Sequence, residues 1–131
     1  MPPEPSHSRP AGVSDATVEA VGKVTEALEW VERARGHLYE FHQQMGHADA
    51  ALGEAADALA AAGHDAVAGR LRARTVGRNV LEGRWTFQIV EEFDDGYYAN
   101  FRHEEGWVRD ELIAGRRHVY EAEMKEREQA P

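Results

Sequence analysis

The placement of proline constrains this chain more than any other feature of its sequence. Pro2, Pro3, Pro5 and Pro10 lie within the first ten residues and Pro131 is the last residue, so positions 11 to 130 contain no proline. Proline breaks helix interiors because it lacks a backbone N–H and its ring clashes with the preceding turn. A proline-free stretch of this length permits long helices along almost the whole chain.

The first thirteen residues differ in composition from the rest. They are rich in proline and serine and poor in large apolar side chains. Such a segment buries too little apolar surface to offset the entropy lost on ordering. We therefore expect residues 1–13 to form a disordered tail and residues 14–131 to form a single domain.

Apolar residues recur at helical spacing directly after this tail. Ser14 and Asp15 form a favourable helix start, with a hydroxyl cap followed by an acid in the first turn. The positions that follow at intervals of three and four are Val21, Val24, Leu28, Val31, Arg35, Leu38, His42 and Met45. This stripe, apolar except at Arg35 and His42, predicts a helix over residues 14–44. Gly46 marks its expected end, and residues 48–62 form an alanine-rich second helix closed by Gly63.

A third helix is expected to start at Asp65 and to end near Gly83. Residues 84–103 allow two interpretations: a helix, with apolar or aromatic residues at every fourth position from Trp85, or a hairpin turning at Asp95 and Gly96. The helix accounts for more of these residues, and it extends to residue 114. Residues 116–129 predict a last, solvated helix. The fold class is therefore all-α, an up-and-down bundle of three to four helices.

Several classes of function are excluded by composition and charge. The chain has no cysteine, so thiol nucleophiles, cysteine-ligated metals and disulfides are excluded. Its serines all precede residue 15, which argues against a serine nucleophile on a folded scaffold. A formal net charge of −9 argues against nucleic acid or anionic lipid as a partner. No apolar run reaches the roughly 18 residues of a membrane span, and no signal sequence is evident, so we expect a soluble cytoplasmic protein.

Histidine and carboxylate pairs are the candidates for metal binding. His37 and Glu40 stand three residues apart on the first helix, and His118 and Glu121 repeat that spacing near the C-terminus. One helical turn can direct both side chains of such a pair at one ion. A site formed by these four residues would have mixed nitrogen and oxygen ligands and would suit zinc, iron or manganese. The alternative is that all four are solvated residues of an acidic surface.

Arginines form one basic region in this acidic chain. Residues 64–84 carry a net charge of +3 and residues 91–111 a net charge of −6. Arg70, Arg74 and Arg78 lie along one edge of the predicted third helix. They are candidates for binding an anion or a protein partner, because the guanidinium group binds phosphate and carboxylate in a bidentate manner. The alternative is that the basic and acidic regions complement each other within the fold or between subunits. No glycine-rich phosphate loop accompanies the arginines.

Aromatic residues are concentrated between positions 85 and 107. On a helix they cannot all point in one direction, and Trp30 also lies off the apolar stripe of the first helix. Aromatic residues are enriched at the cores of protein interfaces. We therefore assign Trp30, Phe87, Tyr98 and Trp107 to an interface, with a homodimer as the preferred assembly.

Two functions remain. The first is a non-enzymatic helical bundle, without a cofactor, that acts through self-association or binding of a protein partner. The second is a metal-binding bundle of the oxidoreductase or storage type, with a divalent metal ion held by histidine and carboxylates. The metal content of the purified protein would separate them.

Overall fold

The computed structural model describes residues 4–131, and helices account for 77% of the structure. The helices are α1 (Asp15–Ala61), α2 (Asp65–Arg74), α3 (Thr86–Phe93), α4 (Ala99–Ile113) and α5 (Val119–Gln129). A short 3-10 turn, Pro5–His7, precedes α1. Residues 4–131 contain no strand, only an isolated bridge between Leu81 and Arg84. The predicted fold class, an all-α helical bundle, is confirmed.

Helix α1 is longer than the sequence predicts. Its start is as expected, because the Ser14 hydroxyl accepts the backbone N–H of Thr17 at 3.2 Å and so caps the helix. The predicted end at Gly46 is wrong, since α1 continues without a break to Ala61. A glycine inside a helix costs only about 1 kcal/mol relative to alanine, which the turns on either side can offset. The helix ends instead before Gly63, which adopts a φ of 92°.

Residues 86–103 are helical, so the hairpin interpretation of residues 84–103 is wrong. The Gln88 side chain accepts the backbone N–H of Trp85 at 2.8 Å and fixes the start of α3. A five-residue π-helical segment, Asp94–Tyr98, then joins α3 to α4 without a break. The predicted third helix corresponds to α2, which ends at Arg74 rather than near Gly83. The residues between Arg74 and Thr86 form turns.

The chain divides into two compact units. The first unit comprises the residues up to Arg33 together with Gly96–Pro131, and the second comprises Ala34–Asp95. Buried apolar residues of the first unit form one cluster, consisting of Val18, Val21, Ile113 and Val119, with Val13 and Val108 packed against it. In the second unit the fully buried apolar residues are Ala56, Ala68 and Val90. Larger apolar residues of this unit are half-buried: Leu38, Leu52, Leu59, Leu71, Ile89 and Phe93.

Part of the predicted disordered tail makes defined contacts within the first unit. Residues 1–3 of that prediction lie outside the described residues. The Arg9 guanidinium donates to both carboxylate oxygens of Glu123, at 3.1 and 2.7 Å, and to Asp15 at 2.6 Å. These hydrogen bonds raise the pKa of Arg9 above its usual value. Arg116 also donates to the carbonyl oxygen of Ser8 at 2.7 Å, so this segment packs along α5 and the turn before it.

Candidate functional site

A cavity of about 320 Å³ lies in the first unit, between the first turns of α1, the end of α4, and α5. Its apolar wall is provided by the buried cluster, through Val18, Val21, Ile113 and Val119. This volume is at the lower end of the range of small-ligand pockets. The cavity is therefore large enough for a small ligand or several waters.

Close approach of α1 and α5 depends on Gly22. A Cβ atom at this position would lie 3.0 Å from the Cβ and 3.1 Å from the Cγ of Tyr120. Carbon atoms pack best at about 3.5 to 4.0 Å, so any side chain here would push the two helices apart. Gly22 therefore sets the width of the cavity.

The turn between α4 and α5 forms the opposite wall. Ala114, Gly115 and His118 all have positive φ, at 56°, 70° and 58°. Arg109 holds this turn, because its guanidinium donates to the Gly115 carbonyl at 2.9 Å and to Glu105 at 2.8 Å. A positive φ is uncommon for residues other than glycine, so His118 has a defined backbone position that an ordinary turn would not provide.

The buried carboxylate of Glu105 is compensated within this wall. Glu105 is 5% exposed, and it accepts a second hydrogen bond from the Thr25 hydroxyl at 3.0 Å. A buried charge without partners would strongly destabilise the fold. The contacts with Arg109 and Thr25 therefore join α4, α1 and the turn into one polar network.

Three metal-ligating side chains meet at the edge of the cavity. One ligand atom each from Glu29, His118 and Glu121 lies within 4.8 Å of the other two, and all three residues are exposed and line the cavity. The His118 Nδ1 and Glu121 Oε1 atoms are 3.5 Å apart. That separation exceeds the usual length of an N–H···O hydrogen bond, about 2.7 to 3.2 Å.

The predicted metal ligands are placed in different units. His118 and Glu121 lie together in the first unit, as their spacing predicts, and Glu29 joins them. His37 and Glu40 are exposed residues of the second unit and are not members of this group. That all four bind one ion stays a prediction. No sequence signal distinguished Glu29, because it meets His118 and Glu121 only through folding.

The four aromatic residues assigned to an interface differ in exposure. Trp30, Phe87 and Trp107 are 60%, 49% and 53% exposed, as an interface requires. Tyr98 is only 8% exposed, and its hydroxyl donates to the Glu32 carboxylate at 2.6 Å. Tyr98 therefore packs inside the first unit and does not present a surface to a partner.

The three arginines of the predicted basic edge are exposed, but only Arg70 and Arg74 lie on α2, because the helix ends before Arg78. Arg70, Arg74 and Arg78 are all exposed, and the last two border a shallow depression together with Val76 and Gly77. Two neighbouring arginines form ion pairs: Arg72 with Asp57, and Arg84 with Glu92 at 3.1 Å. Part of the basic region is thus neutralised within the second unit.

A second polar network lies in the second unit. Arg35 donates to both carboxylate oxygens of Asp94, at 2.8 and 3.1 Å, and the Tyr39 hydroxyl donates to Asp94 at 2.8 Å. The Arg35 hydrogen bonds hold the pKa of Asp94 below its usual value. The hydrogen bond to Asp94 raises the pKa of Tyr39, since ionisation would break it and place a phenolate beside a carboxylate.

His42 makes the other polar contact of this unit. Its Nδ1 atom lies 2.6 Å from the hydroxyl of Thr86, a residue with no exposed surface. Arg35 and His42 are the two polar residues that interrupt the predicted apolar stripe of α1. Both are therefore matched by polar groups at the two ends of α3.

Comparisons of the chain with protein-family models, with curated proteins and with solved structures find no match. Within residues 4–131, no helix combines the length and the apolar character that crossing a membrane requires.

Proposed function

We propose that this chain is a non-enzymatic protein that acts through self-association, as a homodimer joined by its second unit, Ala34–Asp95. The observation that carries the proposal is the composition of that unit's core. Its buried apolar residues are two alanines and one valine, Ala56, Ala68 and Val90. Burial of large apolar side chains is the main source of folding free energy, and in this unit the leucines, Ile89 and Phe93 are only half-buried or exposed.

Large apolar side chains are exposed in both units, and five of them belong to the second unit. They are Tyr39 at 37%, Phe41 at 39%, Phe87 at 49%, Val67 at 51% and Leu81 at 53%. Fully burying a side chain of this size contributes about 1.5 to 3 kcal/mol relative to leaving it in water. A partner that covered several of them would supply the burial that the unit lacks.

The charges of the second unit and the constant availability of another copy of the chain favour a homodimer. A two-fold dimer brings the same surface of each subunit into contact, so a unit that carries both signs can pair with itself. The second unit exposes Arg70, Arg74 and Arg78 and also the acids Glu91 and Asp95. A unit that lacks a large apolar core also needs a partner from the moment it folds, which a second copy always provides.

The test is the mass of the protein in solution, by size exclusion with light scattering. We expect twice the chain mass of 14.6 kDa at about 10 μM, which corresponds to a Kd in the micromolar range or below. Phe87→Asp should give a monomer. An acid in the first turn of α3 interacts favourably with the helix dipole, so this variant should keep its helical content.

Trp107→Asp is the matched control, because Trp107 is as exposed as Phe87 but belongs to the first unit. This variant should remain a dimer. A monomeric parent protein would refute the proposal. Dissociation by Trp107→Asp and not by Phe87→Asp would also refute it, since the contact would then lie in the first unit.

A further inference from the structure

We propose that Glu29, His118 and Glu121 bind one divalent transition-metal ion at the edge of the cavity in the first unit. This site is independent of the proposed self-association, because all of its residues belong to the first unit. Its three ligands come from three places in the fold: α1, the residue that caps α5, and the first turn of α5.

The one ligand-to-ligand distance in this group matches metal coordination. In a tetrahedral site with bonds of about 2.1 Å, two ligand atoms are about 3.4 Å apart. His118 Nδ1 and Glu121 Oε1 are separated by 3.5 Å. One ligand atom of Glu29 lies within 4.8 Å of a ligand atom of each of the other two residues.

The donor atoms determine the class of metal. One imidazole nitrogen and two carboxylates suit zinc, manganese(II) or iron(II), whereas calcium and magnesium prefer oxygen ligands alone. The two carboxylates balance the charge of a divalent ion. The charged residues lining the cavity are four glutamates, Glu19, Glu26, Glu29 and Glu121, and three cations, Lys23, Arg109 and Arg116.

The backbone around the site limits how far the ligands can move. His118 is held at a positive φ within a turn that Arg109 fixes, and Gly22 keeps α1 against α5. A site that is positioned before the ion arrives binds it with a smaller loss of conformational entropy.

Three protein ligands leave at least one coordination position for another molecule. In zinc proteins this arrangement is typical of reactive sites, whereas structural sites use four protein ligands. Because Glu29, His118 and Glu121 are exposed at the edge of the cavity, a bound ion would be open to solvent. We infer that its remaining coordination positions hold water or a small oxygen-donor ligand such as a carboxylate.

The experiment is isothermal titration of the full-length, tag-free chain with zinc chloride and, separately, with manganese chloride. We expect one site per chain. Glu29→Gln, Glu121→Gln and His118→Asn should each weaken binding at least about tenfold, equivalent to about 1.4 kcal/mol. Asparagine is chosen at position 118 because it tolerates a positive φ, so the turn is kept while the imidazole is removed.

Glu40→Gln and His37→Asn are the matched controls, with the same substitutions on exposed residues of the second unit. They should leave the affinity unchanged. A metal-dependent rise in the thermal unfolding temperature should accompany binding and should disappear in the three ligand variants. Circular dichroism without metal should be the same for all the proteins, because every substituted side chain is exposed.

Three results would overturn the proposal. The first is the absence of saturable binding of either metal. The second is unchanged affinity in the ligand variants. The third is equal weakening by the control variants, which would assign the ion to His37 and Glu40 as well and reject the three-residue site.

Discussion

Replacing Ile113 by alanine tests whether the buried cluster of the first unit is the main source of its stability. Ile113 is 2% exposed and packs with Val18, Val21 and Val119. The substitution removes three carbon atoms, each worth about 0.8 kcal/mol on burial, which gives a transfer loss of about 2.4 kcal/mol. A sealed void would add a further cost and bring the loss towards about 5 kcal/mol.

The cavity beside Ile113 decides between these limits. Ile113 already lines that cavity, so the substitution enlarges an existing space rather than creating a closed one. The additional cost should therefore be small. We expect Ile113→Ala to reduce the free energy of unfolding by about 3 kcal/mol.

Leu112→Ala is the control, because it removes the same number of carbon atoms from the adjacent residue of α4. Leu112 is 48% exposed, so its loss should be about 1 kcal/mol. The assay is urea unfolding followed by circular dichroism, with all proteins at one concentration since self-association adds to the measured stability. An equal loss for both variants, or a larger one for Leu112→Ala, would show that the cluster is not the core.

Further predictions concern two glycine positions and one half-buried ion pair, Arg35 with Asp94. Gly46→Ala should stabilise the protein by about 0.5 to 1 kcal/mol in urea unfolding, because Gly46 lies inside α1 with open space around its Cα. Gly115→Ala should destabilise the protein by more than about 1 kcal/mol, since Gly115 has a φ of 70° and the new Cβ would lie 2.6 Å from Asp110 Oδ1. Equal effects of the Gly46→Ala and Gly115→Ala substitutions would contradict this account. Asp94→Asn should destabilise the protein at pH 7 and by less at pH 3. Because the pKa of Asp94 is lowered in the folded protein, its contribution to the free energy of unfolding is complete above about pH 4 and is lost as Asp94 becomes protonated. If the parent and the variant differed by the same free energy of unfolding at pH 7 and pH 3, the ion pair between Asp94 and Arg35 would be refuted.

Local patterns predicted the helices well because helix formation depends mainly on neighbouring residues. The stripe from Val21 to Met45 and the four-residue aromatic spacing from Trp85 both lie in helices. The break at Gly46 was wrong because a single glycine is a weak signal inside a long helix. The π-helical segment Asp94–Tyr98 had no signal in the sequence, since its extra residue is stabilised by contacts with distant groups such as Arg35.

Only the part of the candidate site formed by residues close together in the sequence could be predicted. His118 and Glu121 are three residues apart, so their spacing alone indicated that they could meet. Glu29 is one of many glutamates in an acidic chain, and only the packing of α1 against α5 brings it to the other two. Tyr98 shows the same limit, because its burial depends on Glu32, which is far from it in sequence.

The polar residues in the stripe of α1 explain why the second unit needs a partner. Arg35 and His42 occupy positions that would otherwise carry core side chains, and they pair with Asp94 and Thr86. Such pairs fix the alignment of α1 with α3, because a shift of either helix would leave a polar group unpaired. They contribute little net stability, however, since the cost of removing charged and polar groups from water offsets most of their attraction. The unit therefore gains a defined alignment without much apolar burial. A second copy can supply the missing burial by covering the exposed apolar side chains of this unit, such as Phe87.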